Sequence, residues 1–266
     1  MTTNMLRRLT PNEFIRAMGS GKTKPLLLAC ETPTGEAIEA VVKFSSGCEQ
    51  GVLNLAREVV AACLAGDLGL PVPEPFIVDI PKPWLETLPD GVRRQLASAS
   101  SVAFGSRLAT GQYAAWTRGH RISDRMLASA AAIFVFDAIT QNADRRADNP
   151  NCLVRGDDLR IIDHELCFTH SLVIGWKPPW ALGGLKALET PGFHIFREQL
   201  RGRAPDFGPI SEKWRNLSAE RLAEYGGSLP DEWEDVGAKI KPAFALIQGA
   251  VDNFDACIDE IRRILA

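Results

Sequence analysis

The sequence predicts an α+β protein with a β-rich N-terminal part and a helical remainder. Two β-rich runs, Pro25–Cys30 and Ala37–Phe44, flank a Thr-Pro-Thr-Gly turn and predict a hairpin. Apolar residues at helical spacing dominate the chain after residue 122. The 266 residues suffice for one large domain or two lobes. We place the boundary so that residues 1–106 form a smaller β-rich part and residues 107–266 a larger helical part.

A glycine-rich segment follows the first predicted element. Thr10–Glu13 places a proline and an acid where a helix begins, which predicts a short helix to about Met18. The next residues are Gly19, Ser20 and Gly21, followed by Lys and Thr. They do not form a Walker A motif, because an arginine stands where that motif needs its first glycine. A loop whose amides approach phosphate and a plain turn both remain open.

A lysine at the end of a strand and an acid on the next helix form a candidate pair. Lys43 ends the second β-rich run, and Glu58 lies on a helix predicted over Leu53–Leu68. In phosphoryl-transfer enzymes such a lysine contacts the α- and β-phosphates of ATP and a carboxylate holds it in place. The alternatives are an edge-strand lysine facing water and a Glu58 that faces solvent.

A strand is predicted over Glu74–Ile80, a loop with a short helix over Pro81–Ser101, and an apolar run over residues 102–106. By position alone, this run is a candidate hinge between the two parts, where the backbones of Phe104 and Ser106 would contact adenine. The alternative is an ordinary strand end.

The most informative stretch runs from Gln141 to Phe168. A polar loop carries Asp144 and Asn149, and two short strands around a Gly-Asp-Asp turn then deliver Asp163. Carboxylate and amide oxygens are the ligands that Mg²⁺ takes together with substrate phosphates. We therefore predict that Asp144 orients an attacking hydroxyl while Asn149 and Asp163 hold magnesium. The alternative is a solvated turn, since Asp and Asn favour turns.

Two other patterns predict different roles. His164, Cys167 and His170 have a spacing compatible with zinc, but no fourth ligand stands near them in the sequence. Apolar residues at alternating four and three spacing predict one long C-terminal helix over Lys239–Leu265, with Pro242 in its first turn. Such a seam either packs within the chain or forms a coiled-coil homo-oligomer.

Composition narrows the class of protein. A net charge of −3 gives no reason to expect nucleic-acid binding. The six cysteines lack a Cys-x-x-Cys pair and no signal-peptide core follows the N-terminus, so we expect a cytoplasmic protein. The longest apolar run, Leu127–Phe136, is too short to cross a membrane and belongs to a predicted core helix that begins at Ser123 and runs to about Thr140.

Taken together, these residues resemble the HipA-like kinases, with the phosphatidylinositol kinases as more distant relatives. The resemblance rests on Lys43, Glu58, the Asp144-Arg-Arg-Ala-Asp-Asn149 loop and Ile-Ile-Asp163-His. The runs Leu-Gly-Leu-Pro-Val-Pro-Glu and Phe-Gly-Ser also look like that family's pattern, so the similarity covers most of the chain.

The resemblance implies a protein-kinase-like two-lobed fold with a small β-rich N-lobe, a larger helical C-lobe and ATP in the cleft. It implies that Lys43 contacts the phosphates, Asp144 is the catalytic aspartate, and Asn149 and Asp163 bind Mg²⁺. The glycine loop would cover the phosphates. The chain departs from the pattern at Arg146, where relatives often carry His, and at the residues after Asp163.

The resemblance therefore predicts an ATP- and Mg²⁺-dependent kinase acting on a Ser or Thr hydroxyl of a protein. The alternatives are a nucleotide-binding pseudokinase or partner-binding module, and a small-molecule or lipid kinase. No basic amphipathic stretch supports membrane docking. The chain is shorter than the full-length HipA toxins, and a toxin role is not carried over. The sequence leaves the acceptor, autophosphorylation and the oligomeric state open.

Overall fold

The computed structural model describes residues 6–19 and 23–266, apart from the side chain of Leu172. Its fold is a mixed α/β fold, and the chain divides into two compact units. Unit 1 consists of Met1–Cys63, Pro73–Ala109 and Ala223–Ile240, and unit 2 consists of Leu64–Val72, Thr110–Leu222 and Lys241–Ala266.

Unit 1 is built on a closed barrel of five strands in the order β1-β2-β3-β5-β4. Parallel pairing of β1 with β4 closes it, and the other neighbours are antiparallel. Closure leaves these strands without an unpaired edge. The strands are β1 (Arg7–Ala17), β2 (Leu26–Glu31), β3 (Ala37–Lys43), β4 (Pro75–Asp79) and β5 (Val102–Arg107).

The predicted N-terminal helix was wrong, because Thr10–Met18 lies largely within β1. The strand pairs with β2 on one side and β4 on the other. Register shifts occur between Pro11 and Glu13, so the proline lies at an irregularity of the ladder. Pairing with two distant strands outweighs the local helix-start signal, which is a weak preference.

The other predicted elements of unit 1 are present. The β2–β3 hairpin forms, with Leu26 opposite Val42 and Glu31 opposite Ala37. The predicted helix is α1 (Val52–Asp67), which continues into unit 2. The segment predicted as a loop with a short helix contains two helices, α2 (Lys82–Glu86) and α3 (Asp90–Leu96).

Unit 2 has a buried helix and a small sheet at its centre. The helix α4 (Leu127–Thr140) is apolar on nearly all sides, and ten of its residues are buried. It starts four residues later than predicted, and residues 124–126 before it form a turn in which Met126 N–H donates to the Ser123 hydroxyl. The sheet consists of β6 (Ala114–Ala115), β7 (Cys152–Arg155) and β8 (Asp158–Ile161), and the last two form the predicted hairpin.

The single C-terminal helix predicted over Lys239–Leu265 was wrong, since a short helix ends where that range begins and two separate helices cover the rest. They are α8 (Val236–Lys239), α9 (Lys241–Asp252) and α10 (Phe254–Leu265). Asn253 breaks the last two apart with a non-helical ψ of 31°. The apolar seam of α9 and α10, including Ile247, Ile258 and Ile261, is buried within unit 2. This burial is the within-chain packing named above and gives no support to an oligomer through the seam.

The other α-helices in the described residues are α5 (Arg197–Leu200), α6 (Gly208–Arg215) and α7 (Ala219–Gly227), and short 3-10 helices cover Ser45–Gly47, Thr169–Leu172 and Lys186–Glu189. Within residues 6–19 and 23–266, no helix combines the length and the apolar character needed to cross a membrane.

Candidate active site

In unit 1, Lys43 and Glu58 form a buried ion pair. Lys43 Nζ lies 2.9 Å from Glu58 Oε2, and the two side chains are only 9% and 4% exposed. Lys43 is the last residue of β3, and Glu58 lies in the second turn of α1, so two rigid elements fix the pair. A water-facing lysine and a solvent-facing glutamate, the two alternatives, are wrong because both residues are buried.

The predicted adenine-binding residues lie inside the barrel wall. Phe104 pairs with Lys43 of β3 and Ile77 of β4, and Ser106 pairs on both sides as well. Their backbone groups are therefore used in the sheet, and this position does not support the predicted contact with adenine. Gly19 forms a bend after β1, whereas Ser20 and Gly21 lie outside the described residues.

In unit 2, the loop after α4 fixes the carboxylate of Asp144. Its Oδ2 accepts hydrogen bonds from Asn149 Nδ2 at 2.8 Å and from Asn151 Nδ2 at 2.9 Å. Asn142 Oδ1 accepts the backbone N–H of Asp144 at 3.1 Å. The Asp144 side chain is thus oriented from both ends of the loop.

Beneath this loop lies a fully buried charged cluster centred on Asp137 of α4. Its Oδ2 lies 2.6 Å from Arg145 Nε and 3.0 Å from His194 Nε2, while Oδ1 accepts a bond from Asn142 Nδ2 at 2.7 Å. Burial raises the pKa of Asp137, but attraction to Arg145 and the hydrogen bonds outweigh it and hold that pKa well below its usual range. Asp137 is therefore ionised at neutral pH.

The hydrogen bonds of His194 define its charge state. Its Nδ1 accepts the backbone N–H of Phe196 at 3.1 Å, so that nitrogen carries no proton. The proton lies on Nε2, which donates to Asp137. Burial lowers the pKa of His194 despite the neighbouring carboxylate, in agreement with this neutral form.

Arg145 connects this cluster to the Asp144 loop and to the segment that carries Asp163. Its Nη1 donates to the backbone carbonyl of Asn151, at the end of the Asp144 loop. The same nitrogen also donates to the carbonyl of Ile162, at 3.3 Å. The next residue, Asp163, has a left-handed φ of 61°, which turns the chain sharply after β8. One buried guanidinium therefore fixes the backbone on which Asn151 and Asp163 stand.

Sequence reasoning missed Asp137, Arg145 and His194. An aspartate inside the apolar run of α4 was a detectable signal, because a buried acid needs a partner. Arg145 is adjacent to Asp144 and could have been proposed as that partner. Nothing in the sequence connects His194 to Asp137, which lies 57 residues earlier.

The zinc pattern is not supported. In the described part of the chain, His164, Cys167 and His170 do not bring their ligand atoms within 4.8 Å of one another. All three residues are buried.

The donor chemistry of Asn149 and Asp163 fits magnesium. Asn149 uses its amide nitrogen to bind Asp144, which leaves the amide oxygen for a cation. Asp163 offers a half-buried carboxylate. Both are hard oxygen ligands of the type that Mg²⁺ takes in partial sets completed by water and phosphate.

Comparison of the sequence with known protein families gives the class of this chain. The family model described as HipA-like kinase matches residues 12–257. The chain therefore belongs to the HipA-like kinase family and is a kinase. No curated protein shows significant sequence similarity to the chain.

A solved structure with a similar fold is the Helicobacter pylori proinflammatory kinase CtkA. It is 11% identical, and the alignment covers 96% of this chain and 98% of that one with a TM-score of 0.53. At this identity the likeness concerns the fold alone.

Proposed function

We propose that this chain is an ATP- and Mg²⁺-dependent kinase that phosphorylates a Ser or Thr hydroxyl of a protein, on a two-lobed protein-kinase-like fold. Residues 1–106 would form the N-lobe and residues 107–266 the C-lobe. The observation that carries the proposal is the clamped carboxylate of Asp144, which two asparagine amides hold in one orientation. Membership of the HipA-like kinase family supports the same activity.

In the proposed reaction, the acceptor oxygen attacks the γ-phosphorus of ATP and the bond to the β-phosphate oxygen breaks. Both amides bind Asp144 at Oδ2, and no hydrogen bond to Oδ1 is found among the described residues. Oδ1 is then the oxygen that accepts the hydroxyl proton and directs the acceptor. Orientation of this kind is a main source of catalysis in phosphoryl transfer.

The other residues have roles in binding the nucleotide. Lys43, held by Glu58, would bind the α- and β-phosphates, and its burial strengthens the attraction. Asn149 and Asp163 would hold Mg²⁺, which supplies charge neutralisation of the phosphates when bound. Gly19 would approach the phosphates through its backbone, since it carries no side chain that would interfere.

The test is incubation of the full chain with γ-labelled ATP and Mg²⁺, with transfer measured to the chain itself, to a generic protein and to water. We expect wild-type transfer, and a loss of at least about a hundredfold in Asp144→Ala and Asp163→Ala. Asp148→Asn is the matched control, because this exposed acid lies in the same loop and should leave activity unchanged. Normal turnover in both alanine variants would overturn the site assignment.

Two other results would replace the proposal. Mg²⁺-dependent ATP binding without transfer to any acceptor would indicate a nucleotide-binding pseudokinase. Transfer to a small molecule or lipid but to no protein would indicate that the acceptor class is wrong.

A further inference from the structure

A cavity of about 360 Å³ in unit 2 borders the Asp144 loop. Its wall includes Ala147, three residues after Asp144, and Gly192. The Ala147 N–H donates to the Gly192 carbonyl at 3.0 Å, so a second segment anchors this part of the loop. Three residues span at most about 11 Å, so the Ala147 part of the wall lies within that distance of the Asp144 backbone.

Two arginines give this cavity a positive charge. Arg118 and Arg121 line it and are exposed. Arg118 Nε donates to the Ala147 carbonyl at 3.4 Å, and Arg121 Nη1 donates to the carbonyls of Arg118 and His120. Among the described residues, neither guanidinium has a carboxylate partner. The one acid of the wall, Glu198, lies 3.4 Å from Arg197 Nη1, which offsets its charge.

The backbone that carries these arginines is fixed by its neighbours. Gln199 accepts the N–H of Ile122 at 2.8 Å and donates to the His120 carbonyl at 3.3 Å. Trp116 is buried at the wall and packs edge to face against Phe196, with the two ring centroids 5.2 Å apart. The arginines therefore stand on an ordered surface, which reduces the entropy lost when a ligand binds.

Another cavity of unit 2 provides a contrast. It is lined by Arg215 and Arg262, but each of these has an aspartate partner, Asp255 and Asp259 respectively. Its charges are satisfied within the chain, so it offers no comparable attraction for an anion.

We propose that the cavity with Arg118 and Arg121 is a subsite for the protein acceptor, and that it binds an Asp or Glu side chain close to the phosphorylated hydroxyl. The inference rests on the proposed kinase function and adds the chemistry of the substrate. A guanidinium binds a carboxylate through two parallel hydrogen bonds, which fixes position as well as charge. Because the Ala147 part of the wall lies near the Asp144 backbone, we place the acidic residue within about four residues of the Ser or Thr.

The test uses two synthetic peptides with one central serine, flanked either by glutamates or by glutamines. Fluorescence anisotropy of the labelled peptides with the full chain at 0.15 M salt gives binding, and γ-labelled ATP gives transfer. Wild-type protein should bind the glutamate peptide more tightly. Arg121→Gln should weaken that binding about tenfold and the double variant Arg118→Gln/Arg121→Gln about a hundredfold, with the glutamine peptide unaffected.

The matched control is Arg125→Gln, an exposed arginine of the neighbouring segment whose contact is Asp157 at 3.6 Å. It should bind both peptides as the wild type does. Arg118→Glu/Arg121→Glu should reverse the preference toward a lysine-flanked peptide.

Equal wild-type affinity for the two peptides, or a glutamate preference that survives in the double glutamine variant, would overturn the inference. Transfer to both peptides without a charge preference would also overturn it while leaving the kinase function standing. Charge-selective binding without transfer to either peptide would support the anion site and count against the kinase proposal. The binding and transfer assays therefore distinguish failure of the subsite inference from failure of the kinase proposal.

Discussion

At the scale of single residues, the buried carboxylate of Asp137 organises the candidate site. It is contacted by four donor nitrogens from three side chains, two of Arg145 and one each of His194 and Asn142, and it has no exposed surface. A buried ion pair need not stabilise a fold compared with an apolar cluster, but loss of one partner leaves a charge in a dry interior. The cluster is better understood as a device that fixes the Asp144 loop than as a source of stability.

We expect Asp137→Asn to lower the free energy of unfolding by about 3–5 kcal/mol, because Arg145 then keeps a buried charge without a carboxylate. Urea unfolding followed by circular dichroism measures this. Asp148→Asn, which removes an exposed aspartate 64% accessible at its side chain, should stay within about 0.5 kcal/mol of wild type. If the two substitutions changed the free energy of unfolding equally, the Asp137 carboxylate would not be needed to neutralise a buried Arg145 charge.

Protonation of His194 gives a second prediction at this scale. Burial lowers the pKa of His194 in the folded chain, whereas the unfolded side chain titrates near pH 6.5. As the pH falls below about 6.5, His194 binds a proton in the unfolded state but not in the folded state. The stability contributed by neutral His194 is therefore complete above that pH and is lost on acidification, by at most about 1.4 kcal/mol per pH unit.

The comparison that isolates this effect is His194→Gln, whose amide can still donate to Asp137 but does not titrate. Urea midpoints between pH 5 and pH 8 should fall more steeply on acidification in the wild type than in the variant. Identical pH profiles would mean that His194 does not titrate differently in the two states.

At the scale of elements, the barrel of unit 1 depends on a close approach at Gly105 of β5. A Cβ at this position would lie 2.7 Å from Val78 Cγ2 of β4, which is closer than side chains tolerate. We expect Gly105→Ala to destabilise the chain by about 1–3 kcal/mol through overpacking. Gly66→Ala in α1, where an added Cβ meets nothing within 4 Å, should not destabilise.

A double-mutant cycle tests the cause. Val78→Ala removes the clashing methyl, so the cost of Gly105→Ala should be smaller in that background by at least about 0.5 kcal/mol. Strict additivity, measured by urea unfolding of the four proteins, would contradict the proposed clash.

The elements that the sequence predicted well are those fixed by local pattern. The β2–β3 hairpin follows from two β-rich runs around a turn, and α1 and α4 follow from helical spacing of apolar residues. β1 was missed because its pairing with β4 joins residues about 70 positions apart, which no local pattern records. The break at Asn253 was missed because the apolar spacing continues through it.

The features of the candidate site also divide into those that are local in sequence and those that depend on the packing of distant segments. Lys43 and Glu58 were predicted as a pair because a strand end and the following helix are close in sequence, and the pair forms at 2.9 Å. The clamp of Asp144 by Asn149 and Asn151 is also local, but it was not predicted, because Asn149 was assigned only to magnesium and Asn151 was given no role. The support from His194 was not predictable, since it depends on how a distant segment packs against α4.

At the scale of the whole molecule, nucleotide binding should appear as added stability. A ligand that binds only the folded chain stabilises it by about 2.7 kcal/mol when its concentration is a hundred times Kd. We therefore expect Mg²⁺ and ATP together to raise the thermal midpoint of the wild-type chain, and ATP with EDTA to raise it less.

Asp163→Ala should lose the Mg²⁺-dependent part of this rise because it removes a proposed ligand oxygen, while Asp148→Asn should keep it. Lys43→Met should weaken the response to ATP even with EDTA, since the lysine is proposed to bind phosphate directly. A midpoint that Mg²⁺ and ATP leave unchanged in the wild type, or raise equally in Asp163→Ala, would contradict the proposed nucleotide site.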